Sequence, residues 1–129
     1  MGKKYFRRRT ETKNERISKN ITLGKIIVQY LPEAEDYLNE LSYLLFQKEY
    51  FGFLENSFAY IDNLVDFIDQ NLAIFPFRNT PEHLVELGSK YIFYEANKNT
   101  TWYIFFENAG QKYIVTFISN NHSEIAQFL

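Results

Sequence analysis

Three β-rich runs in the last third of the chain, at residues 90–96, 101–107 and 112–118, constrain the fold more than any other feature. Asn97-Lys98-Asn99 separates the first two and Asn108-Ala109-Gly110 the last two. Short Asn- and Gly-bearing turns between runs of β-branched and aromatic residues are hairpin signals, so the spacing predicts an antiparallel three-stranded meander. Apolar residues alternate onto both faces of these strands, so both faces need cover.

The preceding residues supply some of it. Residues 26–31, Ile-Ile-Val-Gln-Tyr-Leu, read as a first strand that Pro32 closes, and proline suits the first turn of a helix. From Glu33 to about residue 49, Ala34, Tyr37, Leu38, Leu41, Leu44 and Leu45 recur at helical spacing, with Glu33, Glu35, Asp36, Asn39 and Glu40 expected outside. Acids in the first turns suit the helix dipole. Residues 48–53 break the pattern as a turn. A second helix is expected over residues 57–72, its stripe Phe58, Ile61, Leu64, Val65, Ile68 and Leu72, with Asp62, Asp66 and Asp69 facing water. Two helices on a short link pack as an αα-hairpin, and both stripes read as core. Pro76 and Pro81 bracket a polar connection, Pro81 to Leu87 add a short turn, and residues 123–129 carry Ile125, Phe128 and Leu129 to dock a terminal helix. The expected architecture is α+β, in the order β-α-α-β-β-β, with the helical hairpin on the meander sheet.

At 129 residues the chain fits one domain, here residues 23–129, preceded by a basic arm over 1–22. Hydrophobic residues are 46%, enough for a core without covalent staples, and the absence of cysteine excludes disulfides and thiolate chemistry. No apolar run is long enough to span a bilayer, the first residues lack a signal-peptide apolar region, and Phe6 stands where a myristoylation signal has Ser or Thr. The expected location is the cytoplasm, without membrane attachment. Residues 1–19 hold eight basic groups, among them Arg7, Arg8 and Arg9, against two acidic ones; the rest holds six basic and fourteen acidic groups. An arm at +6 on a body at −8 can bind phosphates, fold back on its own body, or solubilise the chain.

Few residues carry chemistry. No Gly-rich phosphate loop, nucleophile elbow or H-E-x-x-H helix is present, and two distant histidines make a metal site a poor expectation; no cofactor is expected. The helix carboxylates fit a solvated surface. The remaining cluster is Ser119-Asn120-Asn121-His122, where His122 can act as acid or base, pair with phosphate, or simply close the strand. Tyr91, Tyr94, Tyr103 and Tyr113 can stack on bases or serve as core with wet hydroxyls. Lys90, Lys98 and Lys112 are the nearby cations, and Arg78 is the only arginine outside the arm.

The element order, with the segment KYIFYEANKNTTWYIFFENAGQKYIVTFISNNH, resembles the RelE/ParE toxin superfamily of bacterial type II toxin–antitoxin systems. The matching pieces are the strand at 26–31, the helices at 33–49 and 57–72, Tyr91 to Tyr94, and Ile118 to His122. Tyr50-Phe51-Gly52-Phe53 and Thr100-Thr101-Trp102-Tyr103 look like a divergent branch of it. The resemblance covers residues 25–129. It implies either cleavage of messenger RNA at the ribosome or poisoning of DNA gyrase, and neutralisation by a cognate antitoxin protein. For the RNA-cleaving members it implies metal-independent chemistry in which cationic and Tyr or His side chains activate the ribose 2′-hydroxyl and stabilise the phosphorane. His122 matches the C-terminal histidine, with Tyr94, Lys90 and Lys112 as further catalytic candidates, and with Arg7, Arg8, Arg9, Asn120 and Asn121 for RNA or partner binding. The alternative is a non-catalytic interaction module that keeps the fold without toxicity.

Overall fold

The computed structural model describes residues 25–47 and 54–129. Strand β1 (Ile27–Tyr30) is followed by helices α1 (Pro32–Gln47) and α2 (Leu54–Asn71). A two-residue strand β2 (Arg78–Asn79) and a 3-10 helix (Glu82–Leu87) lead into β3 (Lys90–Asn97), β4 (Thr100–Ala109) and β5 (Lys112–Asn120), and a second 3-10 helix covers Glu124–Phe128. The fold is α+β, with a five-stranded mixed sheet ordered β1-β5-β4-β3-β2. The arm, with Arg7, Arg8 and Arg9, and the turn at 48–53 lie outside the described residues.

The meander takes the expected antiparallel form: Phe93 pairs with Tyr103 and Ile104 with Ile118. β1 runs parallel to β5, in register from Ile27 opposite Lys112 to Tyr30 opposite Val115. A parallel pair needs a long crossover, and α1 and α2 lie within it. Their apolar stripes meet Ile92, Trp102, Ile104, Phe106, Val115 and Ile118 in the main core. Trp102 is buried with its indole N–H donating to the Tyr60 hydroxyl at 2.9 Å, tying sheet to α2.

The alternate residues point to the other face. Phe105 is fully buried there, 5.4 Å from the Tyr91 ring and 5.9 Å from that of Phe117. The 3-10 helix at Glu82–Leu87 reaches this face through a bond from the Thr116 hydroxyl to the Leu87 carbonyl. Thr116 is the extra residue of a bulge, since Phe105 pairs with Phe117 and Phe106 with Val115. Gly88 passes close above: a methyl there would stand 2.5 Å from the Thr116 hydroxyl and 2.9 Å from Phe105 Cβ.

Several expectations change. The connection between Pro76 and Pro81 contains a strand, because Arg78 and Asn79 pair with Tyr91 and Lys90. The terminal segment winds as a 3-10 helix. On α1, Leu44 is exposed, whereas Glu35 and Asn39 are buried. Glu35 and Asn39 are taken in because a helix wedged between a sheet and a second helix buries a wider face than a single apolar stripe. Asp69 is also buried: its Oδ1 accepts a 2.7 Å bond from the Tyr30 hydroxyl, pinning the end of β1 to α2. Burial, then the Asp69 carboxylate, holds the Tyr30 phenol well above its ordinary pKa.

Tyr30→Phe removes that donor and is expected to cost about 1–3 kcal/mol in urea denaturation at neutral pH. The phenol's folded pKa is raised, so its contribution is complete below the unfolded value of 10.0 and is lost as pH climbs toward the folded one. The variant should therefore lose less stability than wild type as pH rises beyond about 10. Gly88→Ala, which forces a methyl against Thr116 and Phe105, is expected to cost about 1–3 kcal/mol in the same assay.

Candidate functional site

The Ser-Asn-Asn-His cluster forms a tight turn after β5. The backbone N–H of His122 donates to Asn120 Oδ1 at 2.8 Å. Asn121 Oδ1 accepts from the Thr101 N–H at 3.0 Å, and its Nδ2 donates to the Asn99 carbonyl at 3.1 Å. Ser119 donates to the Ser123 hydroxyl at 2.7 Å, and that hydroxyl donates to the Asn120 carbonyl at 2.9 Å. Asn121 thus locks the end of β5 to the β3–β4 turn, while the Asn120 side chain closes its own turn onto His122, the role in which Asn side chains mimic backbone. His122 projects from this turn between two clefts, of about 430 and 130 Å³, that both border Asn120. The larger is walled by Glu33 and Tyr37 of α1 and by Phe117 and Ile118 of β5. Its charge, His122 apart, is the Glu33 carboxylate, and burial raises the Tyr37 phenol.

The other candidates do not gather there. Tyr94 stacks on Phe67 of α2 with ring centroids 4.2 Å apart, in the packing between helices and sheet. Lys90 caps the Phe77 ring at 4.8 Å and lies opposite Phe106, while Asn120 lies opposite Trp102. Lys112 starts β5 and Asn120 ends it, a separation of about 26 Å along a strand. Lys98 lies in the β3–β4 turn that Asn121 clamps through the Asn99 carbonyl. Among the described residues, no group of three or more His, Asp or Glu side chains is arranged to hold a metal ion, and no helix is long and apolar enough to cross a membrane.

A different constellation occupies the sheet face turned away from the helices. β2 brings Arg78 onto the edge of β3, its guanidinium carbon 4.9 Å from the centre of the Phe93 ring. Phe93 pairs with Tyr103 and the next residue on the same face, Glu95, pairs with Thr101. These five residues and Leu129 line a shallow groove of about 210 Å³. Stacking on an aromatic face orients a guanidinium without consuming its N–H donors. The groove therefore joins a fixed cation, a carboxylate and two hydroxyls within one patch of strand. The helical layer offers the reverse: α1 and α2 contain no Lys, Arg or His, and they carry Glu33, Glu35, Asp36, Glu40, Glu55, Asp62, Asp66 and Asp69. On the other side Arg78 stands beside Glu95, and the 3-10 helices there add Glu82, Glu86 and Glu124, so any attraction for an anion is local to Arg78.

Arg78, Phe93, Glu95 and Thr101 are groove residues that sequence reasoning left out of the site, and Arg78 is the hardest of them to find. Its flanking prolines read as a loop, and a two-residue strand has no periodicity to detect. The period-two pairs Phe93/Glu95 and Thr101/Tyr103 were visible as a same-face set. Compared with protein-family models, with curated proteins and with solved structures, the chain matches none.

Asn121→Ala removes two hydrogen bonds at the end of the sheet and is expected to cost about 1–2 kcal/mol in thermal or urea unfolding. His122→Ala, at an exposed side chain, should stay within about 0.5 kcal/mol of wild type in the same measurement.

Proposed function

We propose that this chain is the toxin component of a type II toxin–antitoxin system of RelE/ParE-like kind, acting on translation by cleaving messenger RNA at the ribosome. The observation that carries the reading is the position of Arg78, set over Phe93 beside Glu95, Thr101 and Tyr103 on the helix-free face. The element order, a strand, two helices and then the meander, supports it as fold-level analogy. A phosphorane needs fixed positive charge close to its oxygens, and β2 supplies the sheet with it.

The chemistry divides among the groove residues. Glu95 takes the proton of a ribose 2′-hydroxyl, whose oxygen attacks the adjacent phosphorus. The bond to the 5′-oxygen of the next nucleotide breaks, and Tyr103 donates a proton to that leaving oxygen. Arg78 stabilises the oxyanion between the two steps, its planar fork matching two phosphate oxygens. The products are a 2′,3′-cyclic phosphate and a free 5′-hydroxyl. A cognate antitoxin protein completes the system by covering this face.

Induction of the wild-type chain in bacteria, with growth and transcript ends followed together, tests the reading. Growth arrest with transcripts cut inside coding regions is expected. Arg78→Ala and Glu95→Gln should each lower cleavage by about 10²-fold or more, with Arg78→Lys intermediate. Arrest with intact transcripts contradicts the RNA chemistry and points to a bound target such as DNA gyrase; absence of arrest favours a non-toxic interaction module. Loss of cleavage in His122→Ala but not in Arg78→Ala moves the chemistry to the β5 turn.

A further inference from the structure

The groove at Arg78 is bounded on one side by a segment whose attachments are few. After the Asn121–His122 turn the chain crosses the helix-free face as the 3-10 helix Glu124–Phe128, and Leu129 then lines the groove with Phe93 and Tyr103. The backbone bonds of this segment are internal: Ala126 N–H to the Ser123 carbonyl at 3.2 Å, and Leu129 N–H to that of Ala126 at 3.1 Å. Gln127 likewise donates its side-chain amide to the Glu124 carbonyl at 3.0 Å. None of its residues is fully buried. Its clearest tie to the rest of the molecule is one edge-to-face contact, Phe128 against the His83 ring with centroids 4.5 Å apart. His83 belongs to the other 3-10 helix, which also buries none of its side chains, and Phe128 keeps 48% of its surface exposed.

We infer that residues 124–129 form a displaceable strap that gates the Arg78 groove, held closed by the Phe128–His83 contact. A segment whose backbone bonds are local and whose apolar Ile125, Ala126 and Leu129 are only half-buried opens at a free-energy cost below that of global unfolding. A single ring contact is a weak hold, so the closed form is favoured without being locked. Lifting the strap removes Leu129 from the wall of the groove and leaves Tyr103, Thr101 and Glu95 open toward β5, widening a shallow depression into a channel across the strands. This inference rests on the proposed RNA-cleaving role and adds a regulatory step to it: a polynucleotide binds fully only to the fraction of molecules whose strap is raised.

The test uses the full chain with two variants, Phe128→Ala, which removes the latch, and Leu129→Ala, which trims the wall and leaves the latch. Both residues lie on the surface segment, so the core is untouched. Two readouts are taken: nitration of Tyr103 by tetranitromethane, located by peptide mass mapping, and binding of a fluorescent single-stranded oligouridylate. The expected result for Phe128→Ala is a several-fold rise in Tyr103 nitration with a several-fold tighter oligonucleotide complex; Leu129→Ala raises nitration less. Unchanged nitration in Phe128→Ala overturns the strap, even where RNA binds. Raised nitration with oligonucleotide binding equal to that of wild type overturns the gating. Raised nitration with no binding by any form keeps the strap as a cover of the groove and overturns the RNA-cleaving role instead.

Discussion

The parallel pairing of β1 with β5 is the constraint from which the rest of the molecule follows. Two parallel neighbours cannot be joined by a turn, so the chain must leave the sheet and return. It leaves as α1 and α2, and both helices come back over the same face, where Leu38, Leu64, Val65 and Ile68 bury against Ile92, Trp102 and Ile104. The Tyr30–Asp69 bond fastens the strand at the point of departure. With both helices committed to one face, the other is left to two 3-10 segments that bury none of their own side chains. A thinly covered sheet face beside a thickly covered one gives working side chains a rigid floor and an open approach.

Charge follows the same division. The helical layer is acidic throughout, and the sheet's far face receives Arg78 from β2. A body with more acidic than basic groups is a poor general binder of nucleic acid, yet its two faces are unequal. The attraction Arg78 offers is local: it stands with Glu95, Thr101 and Tyr103 in the groove, and the 3-10 helices on that face add Glu82, Glu86 and Glu124. The His122 turn has another character. Asn120 and Asn121 are engaged in closing the sheet, and the cleft beside them is bordered by Glu33, which discourages an anion.

Much of the fold was legible in the residues. The meander strands were apparent because alternation and turns bearing Asn or Gly act locally, and both helices because their apolar stripes repeat over several turns. What escaped notice depends on partners distant in sequence. Arg78 and Asn79 become a strand because Tyr91 and Lys90 present an edge to them, which no two-residue window announces. Asp69 looks solvent-facing by spacing alone, and the Tyr30 hydroxyl 39 positions away helps make its burial tolerable. The site was harder still. Lys90, Lys112, Tyr94 and His122 share a region of sequence but diverge over two faces and two ends of the sheet, whereas the groove gathers residues from β2, β3 and β4 that share no motif.

We propose that this groove activates a ribose 2′-hydroxyl. The most direct test is the chemistry of the ends left when purified chain acts on a synthetic message bound to ribosomes. An upstream fragment ending in a 2′,3′-cyclic phosphate and a downstream fragment beginning with a 5′-hydroxyl are expected. An intact message would contradict it, and so would a 3′-hydroxyl paired with a 5′-phosphate, which marks attack by water in place of the ribose.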